Sequence, residues 1–145
     1  MPNPRHGHCL CREVAFAYEG EPNWTLHCHC ESCRRATSAP IATWISLPRS
    51  RFRFTAGAPT YFASSPGVRR GFCGRCGSPL TYENERMPDE VHVLACALED
   101  PSGVAATAHV FVGEQLPWFE AADELPRYEK TRRRSEPVRH GPRKT

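Results

Sequence analysis

The sequence predicts a mainly β fold of antiparallel sheets, pinned by zinc knuckles and carrying one or two short helices. Three observations lead there. Short apolar runs alternate with the two-residue period of half-buried strands. Fourteen prolines and ten glycines break the chain between those runs into turns. Seven of the eight cysteines fall into three tight clusters, close enough for their sulfurs to converge on an ion. At 145 residues the chain is read as one domain with a real core, spanning 1–129 and followed by a basic tail, 130–145.

The elements follow in order. Val14, Phe16 and Tyr18 share a face in a strand over 13–19, and Gly20 to Asn23 turns the chain into a second strand, Trp24 to His27. That strand delivers the cysteines from Cys28 onward. Glu31 to Thr37 has room for about two helical turns. Ala42 to Leu47 is a third strand, and Pro48-Arg49-Ser50 leads into Arg51 to Thr55, where Phe52 and Phe54 share a face. Thr60 to Ala63 and Val68 to Phe72 flank the turn Ser65-Pro66-Gly67. Leu80 to Tyr82, Glu90 to Cys96 and His109 to Val112 complete the strands, and Trp118 to Leu125 is read as a short helix.

The clusters are Cys9-Leu10-Cys11, then Cys28-His29-Cys30-Glu31-Ser32-Cys33, then Cys73-Gly74-Arg75-Cys76, with Cys96 alone. A structural Zn²⁺ takes four such ligands, whereas a catalytic one takes three and keeps a position open. Seven cysteines divide as four plus three. Disulfides are the competing reading, but a Cys-x-Cys pair suits disulfide geometry badly. Met1 to His6 offers no apolar leader segment, so a soluble, cytoplasmic protein in a reducing compartment is expected. An iron–sulfur cluster is the third option.

Cys9, Cys11, Cys73 and Cys76 supply four thiolates, and Gly74 and Gly77 permit the turns of a knuckle. Metal held there would clamp the first strand to the middle of the chain and add to folding. Cys28, Cys30 and Cys33 lack a fourth cysteine nearby, which leaves a place for a thiol or a carbonyl oxygen. The competing reading closes that site with His27, His29, Glu31 or Cys96. His29 is either a group supporting the ligands or simply surface. Arg34, Arg35, Arg69 and Arg70 could grip an anionic substrate, or be ordinary solvated arginines. His109, in an apolar run, is either a proton carrier or a satisfied core histidine.

The formal net charge of +3 conceals a division. Residues 130–145 carry seven Lys/Arg and one acid, while the body holds 12 basic and 15 acidic residues. The tail, with two prolines and few apolar side chains, is expected to be disordered. An acidic body without an aromatic-studded basic face argues against nucleic acid as a partner. The longest uncharged stretch, Thr37 to Leu47, falls short of the ~20 apolar residues of a membrane span.

With the clusters in place, the chain resembles the glutathione-dependent formaldehyde-activating enzyme family, the CENP-V/GFA domain. Gly7-His8-Cys9-Leu10-Cys11, His27 to Arg35, and Phe72 to Leu80 carry the resemblance, with Ala97 to Asp100, His109 and Leu116-Pro117-Trp118 as weaker matches. It implies a β-tent of stacked antiparallel sheets. It also implies a structural zinc on Cys9, Cys11, Cys73 and Cys76 and an active-site zinc on Cys28, Cys30 and Cys33, the division already reached from spacing. The family's founding activity joins glutathione to formaldehyde as S-hydroxymethylglutathione, a carbon–sulfur lyase reaction in reverse. Arg12 departs from the pattern, where a glycine usually follows the second cysteine, as does Leu98-Glu99, where Leu-Asp is usual.

Two function readings follow. One is a zinc-dependent carbon–sulfur lyase with two Zn²⁺ per chain, acting on a small thiol, glutathione or similar, and an aldehyde. The other is a non-catalytic binding module in which both metal sites are staples.

Overall fold

The computed structural model describes residues 3–144. Met1 and Pro2, at the head of the segment read above for a leader, and Thr145, the last residue of the basic tail, lie outside the described residues. In chain order the strands are β1 (Arg5–His8), β2 (Ala15–Tyr18), β3 (Trp24–Cys28), β4 (Ala42–Pro48), β5 (Phe52–Ala56) and β6 (Thr60–Ser65). They continue with β7 (Val68–Phe72), β8 (Pro79–Asn84), β9 (Glu90–Leu94), β10 (His109–Val110), β11 (Pro126–Arg127) and β12 (Arg139–His140). The helix α1 covers Glu31–Thr37, as its sequence predicts. No helix among the described residues is long and apolar enough to cross a membrane.

The chain folds as two compact units. The first comprises residues up to Trp24 together with Ile45–Ala105, the second Thr25–Trp44 together with residues from Ala106 onward.

In the first unit β1, β2 and β5 form a three-stranded antiparallel sheet. The predicted alternation of β2 holds: Phe16 and Tyr18 are fully buried, opposite Phe54 and Phe52 of β5, and the Phe16 and Phe52 rings lie 5.7 Å apart. β9, β8, β7 and β6 lie side by side, also antiparallel where their registers are defined. Gly67 turns β6 into β7 at a φ of 76°, a left-handed conformation glycine adopts without steric cost. The core gathers Val14, Phe16, Tyr18, Ile45, Leu47, Leu80, Val91 and Val93, with Cys9 and Cys73 buried among them. Two of the cysteines expected to hold metal are thus fixed by apolar burial, the dominant favourable term in folding. The strand expected over Glu90 to Cys96 ends at Leu94, where a single 3₁₀ turn, Ala95–Ala97, takes over.

In the second unit β12, β11, β10 and β3 lie in that order. Here the antiparallel expectation is corrected: β10 runs parallel to both β3 and β11. Parallel pairing needs a long connection between partners, and the chain between β3 and β10 supplies it. The register sets His109 opposite His27 and Val110 opposite Cys28, with His109 opposite Arg127 on the other side.

Two further expectations are corrected. Trp118 to Leu125 is not a helix, because its carbonyls serve other donors. Gln115 takes that of Phe119, and Arg127 takes those of Ala121, Asp123 and Leu125, groups a helix would spend on its own ladder. The basic tail is not disordered over its described part. Arg139 pairs with Arg127 and His140 with Pro126, and Arg143 donates from its backbone and its Nε to Glu120 at 2.6 and 3.1 Å. Backbone pairing and charge-assisted bonds supply there what apolar burial does not.

Candidate metal centres and a buried histidine chain

The four sulfurs of the first cluster converge. The ligand atoms of Cys9, Cys11, Cys73 and Cys76 all lie within 4.8 Å of one another. Cys9 Sγ stands 3.6 Å and Cys73 Sγ 3.7 Å from Cys11 Sγ, too far for disulfide bonds. A tetrahedral Zn²⁺ with bonds of ~2.3 Å places its sulfurs about 3.8 Å apart, so the four thiols fit that ion. Backbone N–H groups of Val14 and Cys76 point at Cys9 and Cys73 Sγ at 3.4 and 3.5 Å, as donors to thiolates do.

Charge makes the same case. The Ser78 hydroxyl and backbone, with the Cys11 backbone, bring the Cys76 thiol down to about 5. Cys11 rises to about 12: the Glu13 backbone lowers it, but burial and the neighbouring sulfurs of Cys9, Cys76 and Cys73 prevail. Four thiols so close cannot all ionise unaided, and a dication among them removes the conflict.

The triplet is built by the end of β3 and the start of α1. Cys28 closes the strand, and Cys30, extended at φ −65° and ψ 150°, caps the helix by accepting the Cys33 N–H at 3.3 Å. The three sulfurs lie within 4.8 Å of one another, and among the described residues no fourth ligating atom belongs to the set. The Cys28 thiol is pushed far up by its bonds to Cys30 and Cys33 and then by burial, again a conflict that a metal ion would relieve. None of the closing groups considered from sequence joins that set, and three of them meet other partners. His27 Nδ1 meets Thr43 Oγ1 at 2.7 Å, His29 Nε2 meets His109 Nδ1 at 2.8 Å, and Arg35 donates to Glu31 Oε1 at 3.1 Å. Cys96, exposed, belongs to the first unit.

His29 opens a chain of polar groups. From its bond to His109, the line continues through His109 Nε2, 3.0 Å from Asp123 Oδ2. Arg127, only 1% exposed, donates to Asp123 Oδ1 at 2.6 Å. Burial, then the neighbouring His109, bring His29 down to about 4 and His27 likewise; burial also lowers His109, against the pull of Asp123. These rings are therefore neutral near pH 7. His27, His109 and Asp123 also have ligand atoms within 4.8 Å of one another. The Arg127 guanidinium on the same carboxylate makes that trio a poor cation site.

Of the arginines singled out in sequence, Arg34 and Arg35 share α1 with Cys33. Arg34 donates to the carbonyls of His29 and Glu114, both at 3.2 Å, and so braces the ligand loop. Arg69 and Arg70 lie on β7 of the first unit. Arg69 pairs with Glu83 at 3.0 Å and covers the Tyr61 ring, and Arg70 lies over the Tyr82 ring. Sequence reasoning missed Asp123 and Arg127. No local signal marks them, since only the pairing of β10 with β11 sets Arg127 beside His109.

A small mainly β protein with one closed and one open cysteine cluster is the class these features define. Comparison gives the family: residues 4–114 match the model of the glutathione-dependent formaldehyde-activating enzyme, and the chain belongs to that family. A protein of Schizosaccharomyces pombe described as an uncharacterized lyase is 33% identical over 85 residues, 57% of this chain and 61% of the yeast protein. The match thus spans less than two thirds of that relative. A crystal structure of a Rhodobacter sphaeroides protein, 22% identical, superposes with a TM-score of 0.59 over 72% of this chain and 99% of its own, a likeness of fold.

Proposed function

We propose that the protein is a zinc-dependent carbon–sulfur lyase that forms or cleaves a thiol–aldehyde adduct such as S-hydroxymethylglutathione. The carrying observation is the Cys28, Cys30 and Cys33 triplet, three converging sulfurs without a fourth ligating side chain among the described residues. Family membership and the lyase-named relative support the reaction class. In this reading Cys9, Cys11, Cys73 and Cys76 hold a structural Zn²⁺, and the triplet holds the active-site ion in a reducing, cytoplasmic setting.

Bound at the triplet, Zn²⁺ supplies Lewis acidity and favours the thiolate form of an incoming thiol. The reaction balances without a redox partner. In the forward direction the C–S bond forms and the thiol proton ends on the former carbonyl oxygen; cleavage reverses both. The chain's own residues orient the reactants. Arg34 fixes the ligand loop through the His29 carbonyl. Arg35, whose exposed ion pair with Glu31 is weak, can turn to a substrate carboxylate. Arg69 and Arg70 carry the same proposal from β7. His109 carries the proposal of a proton-handling role through its bonds to His29 and Asp123.

Magnetisation exchange between formaldehyde hydrate and its glutathione adduct, followed by NMR, tests the proposal. Zinc-loaded protein is expected to accelerate the exchange and Cys30→Ser to abolish the acceleration. No acceleration with any thiol and aldehyde tried would overturn the lyase reading and leave a binding module.

A further inference from the structure

The three sulfurs of the open triplet are held from two sides by one short stretch of chain. β10 pairs with β3 so that Val110 stands opposite Cys28, and the Val110 carbonyl accepts the His29 N–H at 3.0 Å. Just beyond β10, the Glu114 carboxylate accepts the N–H of Glu31, the first residue of α1, at 3.1 Å. The Glu114 carbonyl accepts from Arg34 Nη2 at 3.2 Å, and Arg34 Nε reaches back to the His29 carbonyl at the same distance. Cys28 thus takes its place from β10, while the helix that carries Cys33 takes its place from the turn after β10. The Glu31 N–H is one of the donors that a helix start leaves without an intrahelical acceptor, and the Cys30 sulfur is already engaged with the Cys33 N–H.

The turn that presents Glu114 forms against local backbone preference. Phe111 has φ 57° and ψ 37°, a left-handed conformation that bulky residues rarely adopt, and the 3₁₀ turn Val112–Glu114 follows it. Three N–H groups keep it there: Phe111 donates to Lys130, Val112 to Tyr128 and Gly113 to Glu129, at 2.9, 3.1 and 3.2 Å. At Gly113 a Cβ would lie 2.6 Å from Glu129 Oε1 and 3.2 Å from the Glu129 carbonyl oxygen, so the missing side chain lets the two segments lie close. Strained backbone fixed by its surroundings gathers at functional places. Here its outcome is an exposed acid, whose bonds in water add little to stability. The strain is accounted for by the ligand helix that Glu114 holds rather than by the fold.

We infer that Glu114 is a positioning residue of the Cys28, Cys30 and Cys33 site, clamping α1 to the end of β10 so that the three sulfurs converge before a metal ion arrives. The inference rests on the proposed function for metal at the triplet, and on nothing in the reaction. Ligands already in place lose less freedom when the ion binds, so the clamp raises metal affinity. The Glu31 N–H needs an acceptor at position 114 and not a charge. An amide oxygen serves as well as a carboxylate there, whereas a methyl group does not.

The test is Co²⁺ uptake by the full chain whose first cluster holds zinc, read from the thiolate–cobalt absorption against a competing chelator. Loss of the signal in Cys30→Ser assigns it to the triplet. Glu114→Ala is expected to weaken Co²⁺ binding by about 10-fold or more, as loss of a group that orients metal ligands does. Glu114→Gln is expected to stay within about 3-fold of the unmodified protein, since its amide oxygen keeps the bond. Thermal unfolding with only the first cluster loaded is expected to coincide in all three proteins. Co²⁺ affinity unchanged in Glu114→Ala would overturn the inference. Equal weakening in both variants would also overturn it, by making charge the cause, and so would an earlier unfolding of Glu114→Ala, which marks a general structural role. No Co²⁺ uptake at the triplet of the unmodified protein would remove the metal reading and this inference together. The expected pattern without turnover of any adduct would support the clamp and count against the lyase reading alone.

Discussion

Cys11 Sγ stands 3.7 Å from Cys73 Sγ, although 62 residues separate the two along the chain. A metal ion shared by these sulfurs closes a loop that the unfolded chain would leave free, and for that length the entropic gain is about 4 kcal/mol, beyond the bond energies. The first cluster is therefore expected to govern folding. The triplet lies within the six residues Cys28 to Cys33 and closes no such loop.

The two clusters should accordingly respond differently to substitution. Cys73→Ser is expected to cost at least ~4 kcal/mol and to lose near-UV circular dichroism at ambient temperature. Cys30→Ser should stay within ~1 kcal/mol of the unmodified protein, because serine is a good helix cap and keeps the bond to the Cys33 N–H, yet lose turnover. Equal loss of folding in both would contradict separate roles.

Arg12 adopts a φ of 69°, with its N–H bonded to the Cys9 carbonyl at 3.1 Å. This is the position where the family pattern has glycine. A non-glycine residue there costs roughly 1–2 kcal/mol, partly offset by glycine's greater freedom in the unfolded chain. Arg12→Gly is thus expected to stabilise the zinc-loaded protein by ~0.5–1 kcal/mol in a urea titration. Unchanged or lower stability would show that the turn bears no strain.

Arg127 is buried with its guanidinium spread over Asp123 and three carbonyls. Arg127→Met keeps the bulk but leaves those acceptors unpaired, for an expected loss of ~3–5 kcal/mol. Thermal unfolding followed by tryptophan emission reads it. A loss below ~1 kcal/mol would mean that the segment from Ala121 to Leu125 is held by something else.

Burial would raise both Glu120 and Asp123, but hydrogen bonds reverse it. The Arg143 backbone, Gln115 and the Arg143 side chain hold Glu120 at about 2, and His109, the Leu125 backbone and Arg127 hold Asp123 at about 2. Their folded values lie below the ordinary 4.5 and 3.8 of free carboxyls, so their contribution is fully present above pH ~5 and fades as pH falls toward 2. Glu120→Gln should flatten stability against pH in that window. An unchanged acid limb would contradict the assignment.

The parts legible in the sequence share a physical basis. Clustered thiols identify themselves by spacing, and β2, β7 and α1 by local periodicity and capping. What escaped notice depends on distant partners. β1 reads Arg-His-Gly-His, with no apolar alternation, and exists because Arg5 to His8 pair with Tyr18 to Ala15. β11 and β12 are two residues each and exist only as partners of one another and of β10. The stretch from Trp118 to Leu125 looks helical by composition, but its carbonyls are claimed by Gln115 and Arg127, which no local pattern reveals. His109 was visible as a candidate, whereas Asp123, the residue that orients it, was not.

In the proposed function one cysteine site is closed and the other meets a thiol. Zinc per chain, measured by elemental analysis before and after incubation with glutathione and gel filtration, tests it most directly. Two zinc ions are expected at the start, one of them perturbed or lost with the thiol while Cys9, Cys11, Cys73 and Cys76 keep theirs. Two zinc ions indifferent to any thiol would contradict it and make both sites staples.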